Sequence, residues 1–243
     1  TGTGQGFGHR ADERFPMCST FKALLAAAVL ARVDAGKEDL ARHIVYGPEA
    51  LVDYSPVAEK HIGEPGLSVA ELCKAAVTLS DNGAANLLLE SLGGPAGLTA
   101  WLRKAGDTVT RLDRNEPDLN EGTPGDPRDT TTPTAMLETL QRLLLGNVLK
   151  ANSRDQLNAW LLANQTGDAR LRAGVPKDWK VGDKTGTGPK ATGTSNDIAI
   201  LYPPGRAPIL VTAYLTRSTA SPEQRDKVLA EVGRLAAMFA AAP

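Results

Sequence analysis

The sequence predicts an α+β fold, an antiparallel sheet with helices beside it. Three observations predict it. Helix caps followed by apolar residues at helical spacing fill the middle of the chain. Three strand-like segments joined by Gly/Pro turns cluster late. One further capped helix closes the chain.

Each element has a local reason. Residues 1–10 are Gly-rich and read as a strand end or hairpin. Ser19-Thr20-Phe21-Lys22 opens a helix ending near Arg32, and no polar residue interrupts it between Ala23 and Ala31. A helix apolar on every face belongs at the centre of a protein. Ser68-Val69-Ala70-Glu71 is a capping box before Leu72, Ala75, Ala76 and Leu79. Thr132 reads as an N-cap with Pro133 at the first helical position, ahead of Met136, Leu137, Leu140 and Leu144. Ser153-Arg154-Asp155-Gln156 reads as a second capping box before Leu157, Trp160 and Leu161. Strands are expected over 180–186, 197–202 and 208–216. Ser221-Pro222-Glu223-Gln224 starts the last helix, which carries Val228, Val232, Leu235 and Phe239 at helical spacing. Residues 112–131 lack periodicity, and a loop of that length in a compact domain is often functional.

Composition narrows the function. The 243 residues carry 27 basic and 28 acidic side chains, so the net charge of −1 gives no field for nucleic acid or an anionic membrane surface. The hydrophobic fraction of 42% is globular, and apolar runs are too short for a transmembrane helix. Two cysteines make no disulfide scaffold and no CxxC pair. His9, His43 and His61 show no metal-ligand spacing, and no phosphate loop or nucleotide fingerprint appears, so neither metal nor cofactor is expected.

Three short motifs carry chemistry. Ser19 and Lys22 lie one helical turn apart, and a lysine whose pKa is lowered can take a serine proton. Ser80-Asp81-Asn82 offers a hydroxyl relay and an amide, although alone it reads as ordinary turn chemistry. Lys184-Thr185-Gly186-Thr187-Gly188 on a strand offers a cation, a hydroxyl and close backbone approach, although alone it reads as a lysine-protected edge. Together, at separations of 61 and 104 residues, they form the signature shared by class A β-lactamases and penicillin-binding proteins.

The chain resembles a class A serine β-lactamase over nearly its whole length. Arg114-Asn115-Glu116-Pro117-Asp118-Leu119-Asn120 is similar to that family's omega-loop motif, and Phe15-Pro16-Met17-Cys18 and Val52-Asp53-Tyr54-Ser55-Pro56 fit it as well. The resemblance implies an antiparallel sheet with helices on both faces plus an all-helical subdomain. It implies one catalytic unit over 1–243, with an α/β part near 1–17 and 163–243 and a helical part near 18–162. It implies that Ser19 attacks a lactam carbonyl, with backbone N–H groups of Ser19 and Thr187 as the oxyanion hole. Lys22, Glu116 or both take the serine proton, a choice the resemblance leaves open. Ser80 passes a proton to the lactam nitrogen, and Glu116 with Asn120 holds and activates the hydrolytic water. Asn82 orients Lys22 and the substrate amide. Lys184, Thr185 and Gly186 bind substrate, and Tyr54 lines the entrance. Arg114 is expected to pair with Asp129. The substrates are penicillins and cephalosporins, the protein a secreted or periplasmic monomer that also binds β-lactam inhibitors. Glu116 disfavours a D,D-peptidase, and no fused segment supports a β-lactam sensor.

The sequence departs from the family pattern in places. No arginine stands in Gly193-Thr194-Ser195-Asn196-Asp197, so Arg170 is expected to supply the cation for the substrate carboxylate. Cys73 matches one partner of a disulfide that some members carry but the other position is Ala26, and Cys18 matches one partner of a disulfide in other members but the second is Gly188, so two free thiols are expected. Thr187 resembles a hydroxyl residue of broad-spectrum members, and the Pro189-Lys190-Ala191 turn is longer than usual. Members of the family carry a helix and strand ahead of the position of Thr1. The apolar stripe on the last helix is therefore expected to lose part of its cover.

Overall fold

The computed structural model describes residues 1–241. The chain begins in an irregular segment and enters β1 (Phe15–Pro16), then a 3-10 turn over Cys18–Thr20 that runs into α1 (Phe21–Asp34). After β2 (His43–Ile44) and β3 (Leu67–Ser68) come α2 (Val69–Thr78), α3 (Asn82–Ser91) and α4 (Gly94–Lys104). A long loop leads to β4 (Thr130–Thr131), α5 (Pro133–Leu144), α6 (Ala151–Leu162) and the single turn α7 (Leu171–Gly174). The chain ends in β5 (Lys180–Thr187), β6 (Ser195–Tyr202), β7 (Ile209–Leu215) and α8 (Pro222–Ala241).

α1 is the axis of the molecule. Every residue from Phe21 to Leu30 is buried, as its uniformly apolar sequence requires. It packs against α2, α3, α4 and α6 in a core that also takes Ile198 and Ile200 from one face of the sheet. A second, smaller core forms on the other face, where Val181, Ala199, Leu201, Val211 and Ala213 meet Leu171 and Leu229. The sheet is antiparallel in the order β5-β6-β7, with Lys184 opposite Ile198 and Thr185 opposite Asp197. Side chains alternate faces along a strand. Lys184 therefore looks toward the helical layer, while Asp183 and Thr185 look toward α7 and α8.

The local signals held where nothing distant competed. Ser68 and Glu71 make the capping box of α2 in both directions, Thr132 caps α5, and Ser221 and Gln224 bond reciprocally at the start of α8. Two sequence expectations need correction. Residues 1–10 form no strand or hairpin; they are exposed, and Thr1 only reaches the Pro208 carbonyl. Ser153 is not a cap, because α6 starts at Ala151 after Lys150. Asp34 at the end of α1 takes over that helix start, accepting from Lys150 N at 2.7 Å and Ser153 Oγ at 2.6 Å. The apolar stripe of α8 loses part of its cover, as expected: Val228, Leu235 and Phe239 are exposed, while Val232 packs with Leu229 and Ala236 into the smaller core. Phe7 covers part of that stripe, its ring 5.1 Å from that of Phe239.

Candidate active site

Ser19 stands on the 3-10 turn and Lys22 on the first turn of α1, so the three-residue spacing places them on one face. Cys18 before the serine has φ 45°, and Tyr54 and Ser80, which flank the same site, have φ 63° and 60°. Non-glycine residues in this region are held there by surrounding structure, and such positions concentrate at functional sites. Asp81 holds Ser80 in place from behind: its carboxylate caps α3 through Ala84 N and accepts from Val57 N and Ala58 N. Asn82, the first residue of α3, thereby projects toward α1, and its backbone N–H bonds the Tyr54 carbonyl at 2.9 Å.

Lys22 is the hub. Its Nζ donates to Ser19 Oγ at 3.0 Å, the Ser80 carbonyl at 2.8 Å and Asn82 Oδ1 at 2.5 Å, and lies 2.9 Å from Glu116 Oε1. Both the lysine and Glu116 side chains are fully buried. Burial pushes the Lys22 ammonium below its usual range, against the support of Glu116. Ser19 Oγ donates to Glu116 Oε1 at 3.1 Å. The serine proton therefore has two basic destinations within reach.

The 112–131 loop delivers Glu116. Asp129 is fully buried and accepts from Asp113 N, Arg114 N and Arg114 Nε, the last at 2.6 Å, as expected for Arg114. Arg114 also pairs with Glu121. A 3-10 turn over Asp118–Asn120 aims Asn120 Nδ2 at Glu116 Oε2, 2.6 Å away. Asn120 Oδ1 is buried without a protein donor, so it is free to accept a hydrogen from a water shared with Glu116.

β5 closes the other side. Lys184 is fully buried, donates to Ser80 Oγ at 3.0 Å, and is pushed down to about 7 by burial and then by the Lys22 charge. A side chain on Gly186 would lie 2.6 Å from the Met17 carbonyl, so glycine lets the strand approach the nucleophile turn. Thr185 Oγ1 bonds Thr166 Oγ1 at 2.6 Å. Arg170 is only 8% exposed and lies along the strand's far side. Its guanidinium donates to the Gly186 and Asn196 carbonyls, to Thr187 Oγ1 at 2.8 Å, and to Asp226. Tyr54 is 61% exposed and lines an open cleft of about 520 Å³ with Val52, Asp53 and Glu59.

Ser19, Lys22, Ser80, Asn82, Glu116, Asn120 and Lys184 thus form one hydrogen-bonded network, with Thr185, Gly186, Thr187 and Arg170 along one edge and Tyr54 at the rim. Two positioning residues have no signal in the sequence. Asn86 on α3 accepts from Glu116 N at 3.0 Å and donates to its carbonyl at 2.9 Å. Asn196 on β6 donates to the Pro16 and Met17 carbonyls just before the serine. Cys18 and Cys73 are free and buried, as expected. Among the described residues no cluster suited to a metal ion occurs.

Known proteins are similar to this chain in sequence and in fold. A family model described as the β-lactamase enzyme family matches residues 1–239. The carbapenem-hydrolyzing β-lactamase KPC of Klebsiella oxytoca is 52% identical over 236 residues, 97% of this chain and 80% of that protein. β-Lactamase SME-1 of Serratia marcescens is 48% identical over 237 residues, with the same two coverages. The solved structure of an ancestral (GNCA) class A β-lactamase matches with a TM-score of 0.95 and 69% identity, covering 98% of this chain and 90% of that one. With a buried Ser–Lys–Glu network at its centre and these relatives over nearly its full length, the chain belongs to the β-lactamase enzyme family and is a class A serine hydrolase of the β-lactam ring.

Proposed function

We propose that the chain hydrolyses penicillins and cephalosporins in two half-reactions divided among the residues above. Ser19 Oγ attacks the lactam carbonyl, and its proton passes to Glu116, or to Lys22 once Lys22 has given a proton to Glu116. The geometry supports both routes. As the C–N bond breaks, Ser80 gives its proton to the lactam nitrogen and is resupplied by Lys22, 3.5 Å from Ser80 Oγ, which regains its own proton from Glu116 and so returns Glu116 to a carboxylate, while Lys184 holds Ser80 Oγ from 3.0 Å. Lys184, Thr185 and Arg170 bind the substrate carboxylate, Asn82 its side-chain amide, and Tyr54 shapes the entrance. Gly186 lets β5 come close enough for Thr187 N–H to join Ser19 N–H at the developing oxyanion. Glu116 and Asn120 then hold a water. Glu116 takes its proton, the hydroxide attacks the ester carbonyl, and Ser19 leaves with a proton restored.

One observation carries this reading: Glu116 faces the nucleophile with one oxygen and Asn120 with the other. A D,D-peptidase or a persistently acylated sensor has no use for that carboxylate. The same reading makes the chain a resistance enzyme acting as a monomer in the periplasm or outside the cell. No helix among the described residues is long and apolar enough to cross a membrane. Benzylpenicillin followed by intact mass and product together tests it. Penicilloic acid with only a transient adduct is expected; an adduct that persists without turnover refutes the role of Glu116.

A further inference from the structure

On the α7/α8 face of the β5–β6 ribbon lie two carboxyl groups that the hydrolysis does not use. Asp183 and Asp197 are both fully buried. The register sets Asp197 opposite Thr185 and Asp183 opposite Ala199, so the two acids are diagonal neighbours on one face. Asp183 is well supplied with donors, Asn164 Nδ2 at 2.6 Å and the Arg172 guanidinium. Asp197 is not. Its Oδ2 accepts Leu171 N–H at 3.1 Å, and its Oδ1 is buried with no hydrogen-bond partner.

The surrounding cations are committed elsewhere. Arg170 pairs with Asp226, and Arg172 with Asp183. Arg225 bonds Ser195 Oγ and the Ala220 carbonyl. Lys184 points to the opposite face, toward Ser80. A buried carboxylate with one oxygen unsupplied and no bonded cation is strongly disfavoured in its ionised form. A negative charge there would also oppose an anionic substrate at Arg170 and Lys184.

Asp197 nonetheless has a defined task. Leu171 opens α7, and Arg170 is the residue before it. The Asp197–Leu171 bond therefore fixes the backbone from which Arg170 reaches Gly186 and Thr187. We propose that Asp197 is a positioning residue of the carboxylate subsite that works as an uncharged carboxylic acid, holding Leu171, and through it the Arg170 guanidinium, behind the Lys184–Thr187 edge. The proposal rests on the reading of Arg170 as a cation of that subsite. Burial, and then the neighbouring Asp183, raise the Asp197 acid well above the usual carboxylate range, while Arg170 and Lys184 work the other way.

Asp197→Asn, Asp197→Ala and Arg170→Ala test it with benzylpenicillin. The Asn side chain keeps the acceptor for Leu171 N–H and adds no charge. It is expected to hold KM within about twofold of the parent across the pH profile. Asp197→Ala loses the bond and is expected to raise KM about tenfold with kcat changed less than about threefold. If Asp197→Ala does not fold, Asp197→Leu, which fills the space without an acceptor for Leu171 N–H, takes its place with the same expectation. Infrared difference spectra of the parent against Asp197→Asn are expected to show the carbonyl stretch of a protonated acid at neutral pH. Absence of that band overturns the proposal. So does an Asp197→Asn enzyme whose KM begins to rise at lower pH, because the substitution would then have removed a charge that supported Lys184. An unchanged KM in Asp197→Ala overturns the positioning role. An unchanged KM in Arg170→Ala refutes the subsite reading instead, and the infrared result still decides the charge of Asp197.

Discussion

Replacing Glu116 by glutamine separates the two half-reactions. In the parent, Glu116 Oε1 lies 2.9 Å from Lys22 Nζ and 3.1 Å from Ser19 Oγ, and Oε2 accepts from Asn120 at 2.6 Å. Glutamine keeps the shape of this group but is not a base, so the water of deacylation has nowhere to send its proton. A positioned general base contributes about 10²–10⁴ in rate. The middle of that range, about 10³, corresponds to about 4 kcal/mol of barrier. Acylation is affected less. Lys22 stays 3.0 Å from Ser19 Oγ, and the carboxylate that favoured its charged form is gone, so the lysine is the more available as a base. The acyl-enzyme therefore accumulates to about one adduct per site. Its breakdown falls about 10³-fold, and KM falls with it because the slow step now follows acylation. Rapid-quench intact mass gives the first quantity and steady-state hydrolysis the others, with a melting curve to confirm folding. Turnover within about tenfold of the parent, or loss of adduct and product together in a folded protein, refutes the assignment.

Three further outcomes follow from the same geometry. Lys184 titrates near 7, down from 10.5, so its charge is present at lower pH and lost as pH rises through that value. KM for a carboxylate-bearing β-lactam should therefore climb between about pH 6 and pH 9, with kcat moving less, and a flat KM contradicts the subsite. Asp129→Ala strips the acceptor from Arg114 and from two backbone N–H groups. Removing one partner of a buried pair costs about 3–5 kcal/mol. Calorimetry should show Tm lower by about 10 °C, with deacylation slowed as the loop loosens; a Tm within about 2 °C of the parent is inconsistent with this. Both thiols are fully buried, and burial pushes Cys18 up to about 12. A thiol reagent should count none in the native protein and two after denaturation, and a native reaction or a missing thiol contradicts the structure.

The caps at Ser68, Thr132 and Ser221 were readable because each bond spans three residues. Ser153 misled because Asp34, 119 residues away, supplies a better partner. The stripe Val228, Leu235 and Phe239 has the right spacing for a core face. Spacing states that a face exists, and packing chooses which side of the helix meets the sheet. Asn86 and Asn196 stood in no pattern, because each acts across 30 residues or more on backbone groups that any residue type carries. The sequence marks Arg170 as the cation for the substrate carboxylate. The structure shows it also bonded to Asp226 and to two strand carbonyls, so its guanidinium is placed by protein before any substrate arrives.

By itself the sequence determined the chemistry available: a serine and a lysine one turn apart, a glutamate in a long loop, and a Lys-Thr-Gly strand. Those follow from covalent spacing and helix geometry, which are local. It also determined the central helix, because nine consecutive residues from Ala23 to Ala31 without a polar group have no place but the core. Only the tertiary structure decided what those groups do to one another. Lys22 becomes a candidate base because burial lowers it while Glu116 from a distant loop lies within 2.9 Å. Asp197 becomes unlike any surface aspartate because both faces of the ribbon are covered and no donor reaches Oδ1. Desolvation and Coulomb terms depend on distances through space, and those are set when the helical layer, the loop and the sheet close around the same few side chains.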